Sequence, residues 1–88
     1  MTVITSADDL RDAAAALTDR QRHILGELAR GRRVTWIADE LAISRVYTYT
    51  EIRAARDTLG APTITGAVVA SIMAGAVDMP GPDDLDIE

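Results

Sequence analysis

Two helical stripes, on predicted helices three residues apart, organise this chain. Ile37, Ala38 and Leu41 recur at helical spacing, and Thr48, Ile52, Ala55 and Leu59 follow at i, i+4, i+7 and i+11. Each run gathers its side chains on one face, so each predicts an amphipathic helix with that face inward. Between them lie Ala42, Ile43 and Ser44, and serine is a preferred first residue of a helix. Two helices joined across so short a corner predict a helix-turn-helix whose second helix runs over 45–59.

The flanking segments predict support for this pair. Residues 1–5 form a short β-prone arm. Ser6 with Asp9 three residues on caps an Ala-rich helix over 7–16, whose Leu10, with Leu17 just beyond it, docks on the core. Thr18 with Gln21 is a fuller capping box and opens a helix carrying Ile24, Leu25, Leu28 and Ala29 on one face, ended by Gly31. Gly60-Ala61-Pro62 stops the helix after the corner, and Thr63 caps a last one to about residue 75. That helix is apolar nearly all round. Gly66, Ala70 and Ala74 align along it, and Val68, Val69, Ile72 and Met73 cover the rest. One face is expected at home in the core and another, Val68, Val69, Ile72 and Met73, against a second copy in a homodimer. The competing arrangement covers that face with the 7–16 helix. The expected division is an arm and short helix over 1–16, a helix-turn-helix domain over 17–76, and an acidic disordered tail over 77–88. The last ten residues, MPGPDDLDIE, carry that expectation because Pro and Gly break them and acids dominate. Such a tail serves solubility, competes with DNA for basic residues, or binds a basic partner.

Composition narrows the function classes. A domain of this size buries only about 60% of its unfolded surface, so a partner copy would add needed stability. No Cys is present, which excludes disulfides and thiolate metal sites. The single His, His23, is expected on the solvent side or half-packed. With no nucleophile–base pair, phosphate loop or metal cluster, the expectation is a non-enzyme without catalytic residues, metal or cofactor. Asp8, Asp9 and Asp12 interrupt any signal-peptide run. The uncharged stretch over 58–77 is diluted by Gly, Pro, Thr and Ser, so a cytoplasmic protein without a membrane segment is expected.

Charge locates the candidate surface. The net charge is −5, but residues 20–56 hold eight Arg against four acids, a local +4, while 57–88 hold six acids and no base. The basic block coincides with the helix-turn-helix, where a phosphate-binding surface belongs. With the stripe of the 45–59 helix turned inward, Arg45, Val46, Tyr47, Tyr49, Thr50 and Arg53 point outward. Arg forks onto guanine or phosphate, Thr and Tyr reach phosphates or base edges, and Val meets a thymine methyl. Glu51 opposes phosphates or accepts from a cytosine amino group. Arg30, Arg32 and Arg33 cluster beyond the helix ended by Gly31, where they either complement its dipole in water or hold a DNA backbone. Trp36 is expected in or half in the core, with the domain edge as the alternative because Ile37 and Leu41 already supply the inward stripe. At the edge, Trp36 with Tyr47 and Tyr49 would suit a protein partner equally well.

Leu17-Thr18-x-Arg20-x-x-x-Ile24-Leu25-x-x-Leu28-Ala29-x-Gly31, then Ile37-Ala38-x-x-Leu41-x-Ile43-Ser44, then Leu59-Gly60 and Ala67-Val68, resemble the LuxR/GerE-type helix-turn-helix domain. The resemblance covers residues 17 to roughly 75. It implies an all-α, four-helix DNA-binding domain, here with a short extra N-terminal helix, that is dimeric through its last helix and acts in transcriptional control on double-stranded DNA. Its recognition positions fall on Val46, Tyr47, Tyr49, Thr50 and Arg53. The departures lie in the same region. Where the family carries Thr-Val-Lys-x-His, this chain has Tyr47-Thr48-Tyr49-Thr50-Glu51; the Lys before the Leu-Gly pair is Thr58; the Gly of the turn is Ala42; and the polar cap of the second helix is Arg33. Two missing Lys and an added Glu weaken phosphate binding. With no sensing domain ahead of the motif, any signal is expected to arrive through a partner. The alternative function is a protein-interaction module on the same fold, bound to the transcription machinery or another regulator.

Overall fold

The computed structural model describes residues 6–86 and contains five helices: α1 (Ala7–Ala15), α2 (Asp19–Ala29), α3 (Val34–Leu41), α4 (Arg45–Leu59) and α5 (Ile64–Met73), followed by a 3-10 turn at Pro82–Asp84. No strand occurs among the described residues, and no helix in them is long and apolar enough to cross a membrane. The arm expected over 1–5 lies outside the described residues, as do Ile87 and Glu88.

Local chemistry sets most helix boundaries. Ser6, Thr18, Ser44 and Thr63 each accept a hydrogen bond from the backbone N–H three residues on, at 3.2, 3.1, 2.9 and 2.9 Å. At Thr18 the box is reciprocal, because Gln21 Oε1 accepts from the Thr18 N–H at 3.1 Å. Four helices end in a residue of left-handed conformation, with the next N–H reaching back five residues. Arg32 donates to Glu27, Ile43 to Ala38, Ala61 to Arg56 and Ala76 to Ser71. Three of these terminators are glycines; the fourth, after α3, is Ala42 at φ 55°.

α4 is the axis of the domain, packing against each of the other four helices. Its Thr48, Ile52, Ala55 and Leu59 are all buried. Ile52 joins Ile24 of α2 and Ile37 of α3 beneath the corner, while Ala55 and Leu59 meet Ala14, Leu17, Leu25, Ala67 and Val77 at the other end. Leu28 packs against both groups. The Thr48 hydroxyl, wholly buried, donates to the Ser44 carbonyl at 2.8 Å, so the stripe keeps its one polar member satisfied. α5 packs on α2 and α4 through Ala67 and Ser71, and the Ser71 hydroxyl donates to the Val68 carbonyl at 2.7 Å.

Two expectations differ from what is observed. Trp36 is at the domain edge, 39% exposed, because Ile37 and Ala38 occupy the buried face of α3. The tail expected to be disordered from residue 77 instead has Val77 in the core and its chain laid along α2 as far as Asp86. Composition counted the acids but not what the segment meets: the Asp84 carbonyl accepts from Arg30, the Asp84 carboxylate accepts from the Gly81 N–H, and the Asp86 carboxylate faces Arg32. Pro80 and Pro82 restrict the backbone that brings them there.

Candidate nucleic-acid interface

The corner between α3 and α4 is three residues long, and each has a separate task. Ala42 takes the left-handed conformation, Ile43 returns its N–H to the Ala38 carbonyl at 3.0 Å, and Ser44 caps α4. The caps leave α4 beginning at Arg45, with the buried stripe starting at Thr48. Every residue assigned outward by that stripe is exposed: Arg45, Val46, Tyr47, Tyr49, Thr50 and Arg53. Val46 is 77% exposed, more than Tyr47 at 43% and Tyr49 at 52%. The Thr50 hydroxyl donates to the Val46 carbonyl at 3.0 Å, which leaves its oxygen able to accept a hydrogen bond.

Packing of α2 on α4 adds a residue that the sequence pattern did not select. The guanidinium of Arg20, in the first turn of α2, lies 5.6 Å from the centre of the Tyr47 ring. It holds one face of that phenol and extends the basic surface onto α2. Arg20 belongs to the pattern that carries the family resemblance but not to its recognition positions, since its partner is 27 residues away and meets it only through the α2–α4 packing.

The second basic patch surrounds the start of α3. Arg33 is the first residue of that helix's cap, and arginine has no acceptor with which to satisfy the first-turn N–H groups. Its side chain is exposed. Arg32, named with it as a phosphate contact, is held within the molecule. Its guanidinium stacks 4.1 Å from the centre of the Trp36 ring, its Nε is 3.7 Å from Glu27 Oε2, and its Nη1 is 3.5 Å from Asp86 Oδ2. The Nε itself is shielded from solvent without a hydrogen-bond partner. Arg32 is therefore electrostatically engaged but incompletely satisfied.

Away from these patches, His23 and Glu40 join α2 to α3 at 2.7 Å. Glu27 lies close enough that ligand atoms of the three residues fall within 4.8 Å of one another. Sequence spacing gave no sign of this cluster, because Glu40 comes from the neighbouring helix. Its groups are matched internally, His23 with Glu40 and Glu27 with Arg32, so it serves as an interhelical tie.

Of the four residues assigned to a dimer contact, Val69 and Met73 are exposed, at 49% and 75%. Val68 and Ile72 are half-buried against the domain's own core. α5 offers a narrow apolar ridge, with α1 seated on α4. No family model, curated protein or solved structure matches this chain.

Proposed function

We propose that this chain is a sequence-specific, DNA-binding transcriptional regulator that lays α4 in the major groove. The observation carrying this reading is the division of α4 into a buried stripe of Thr48, Ile52, Ala55 and Leu59 and an exposed array of Arg45, Val46, Tyr47, Tyr49, Thr50 and Arg53. In a helix-turn-helix the second helix reads base edges and the first crosses the backbone. Here Arg45, Tyr49, Thr50 and Arg53 serve base and phosphate contacts. Arg20 steadies Tyr47 for stacking or hydrogen bonding at the groove wall. Arg33, exposed at the start of α3, meets the flanking phosphates. A homodimer through the Val69–Met73 ridge would present two such helices to paired half-sites.

A salt series on duplex DNA tests this. The observed association constant should fall steeply as salt rises, and Arg53→Ala should reduce the log–log slope by about 1 if it contacts a phosphate. Absence of binding to duplexes of many sequences at low salt would defeat the proposal.

A second reading rests on a specific observation: Trp36, Tyr47 and Tyr49 are all exposed on the helix-turn-helix while the chain's net charge is −5. Aromatic side chains of this kind anchor protein interfaces. A partner protein bound there would be released by Tyr49→Ala and Trp36→Ala, with little dependence on salt.

A further inference from the structure

The C-terminal segment is attached to α2 at two points. At the near end Val77 is buried in the core, where its Cγ1 would lie 3.8 Å from a Cβ on Gly26. At the far end the Asp86 N–H donates to the Arg30 carbonyl at 2.7 Å, Arg30 Nε donates to the Asp84 carbonyl at 3.4 Å, and Arg32 faces the Asp86 carboxylate at 3.5 Å. The Asp86 carbonyl lies so close to Gly31 that a Cβ there would be 2.7 Å away, so this approach needs the glycine. Between the ends runs a groove lined by His23, Gly26, Met79 and Pro80. The segment is thus a strap that spans α2 and touches down on the basic end of it.

From this we infer that the strap is an autoinhibitory device: it occupies Arg30 and Arg32 and must lift for those residues to hold a DNA backbone. The inference rests on the DNA-binding function proposed above. The far attachment is made for release. Met79 and Leu85 remain exposed, so little apolar burial holds it. The ionic contact is long, partly solvated and leaves Arg32 Nε without a hydrogen bond, and such pairs are weak and salt-screened. The strap's charge also suits the role. Asp83, Asp84 and Asp86 place an anionic segment where a phosphate run would otherwise lie. Lifting it returns uncompensated carboxylates to solvent, which take up cations as DNA releases its own.

The test compares duplex binding by the full chain, by Asp84→Asn/Asp86→Asn, by a chain lacking residues 79–88, and by Asp8→Asn/Asp12→Asn. The last makes the same charge change as the double strap variant, on the exposed side of α1. Neutralising or removing the strap should tighten binding by roughly 3- to 10-fold at low salt, steepen the log–log salt slope by about 1, and lose its advantage near 0.5 M salt. The α1 variant should bind like the parent. If all four chains bind DNA alike, the strap inference falls while DNA binding stands. Equal tightening by the α1 variant overturns it too, because only net charge would then matter. If none of the four binds DNA, both proposals fail together.

Discussion

At Ala42 a residue with a Cβ holds φ 55°, the conformation in which the other three helix ends use glycine. For an L-residue that conformation costs about 1–2 kcal/mol. Gly26 presents the opposite mismatch: it sits inside α2, where glycine costs about 0.8–1 kcal/mol relative to alanine, and an added Cβ would meet only Val77 at 3.8 Å. Exchanging each for the residue its backbone favours should therefore stabilise the domain. Ala42→Gly relieves strain but gives back about 0.5–1 kcal/mol of chain entropy, leaving a net gain of roughly 0.5–1 kcal/mol, and Gly26→Ala should gain a similar amount. Thermal unfolding should shift up by about 4 °C for each, additively in the double variant. A fall in Tm for Ala42→Gly would mean that the side chain at the corner packs in a way its exposure does not suggest. The same scale explains what was legible around the interface. Tyr47, Tyr49 and Arg53 follow from the α4 stripe, whereas Arg20 and the Trp36–Arg32 stack come from residues that meet only through folding.

At the scale of the element, α5 shows why small side chains matter more than hydrophobicity along its length. Both residues buried on it, Ala67 and Ser71, are small, and they let its backbone approach α2 and α4 closely. Larger Val68 and Ile72 flank that seam, half-buried. Apolar residues all round the helix therefore did not reveal which face was inward; packing against α2 and α4 selected Ala67 and Ser71, beside the line of Gly66, Ala70 and Ala74. Ala67→Leu should cost about 1–3 kcal/mol through overpacking, measured by urea unfolding, even though it raises hydrophobicity. An unchanged midpoint would show that α5 can move away from the core without loss. The helix starts were far easier to read. Ser6, Thr18, Ser44 and Thr63 act within their own first turn, so a sequence window of four residues contains the whole interaction.

For the whole molecule, the proposed dimer and the proposed strap bear on how the proposed interface would be used. Val69 and Met73 form the exposed ridge of α5, on which the proposed dimer rests. Met73→Asp is the discriminating change, because Met73 is 75% exposed and its loss leaves the folded monomer nearly unaffected. Gel filtration should move from a dimer-sized to a monomer-sized peak; a monomer-sized peak for both chains would remove the dimer, and a dimer-sized peak for both would take it off this ridge. A substitution at Ile72 would confuse the two effects, since that side chain also packs on the core. The tail is a case where composition alone led astray. Its Pro, Gly and Asp content argues for disorder in isolation, but Arg30, Arg32 and Gly31 give the segment somewhere to lie.

The amino-acid order alone specified the helical class, the four capped starts, the three-residue corner and the two faces of α4. Each of these depends on residues within one or two helical turns of one another, so local hydrogen bonding and periodicity decide it. Tertiary structure decided what no local window contains. It set Arg20 over Tyr47, moved Trp36 to the edge beneath Arg32, drew Glu40 to His23, turned Val68 and Ile72 partly inward, and folded the acidic end back onto α2. Those pairings depend on which helix faces pack together, and that is set by side-chain volumes summed over the core.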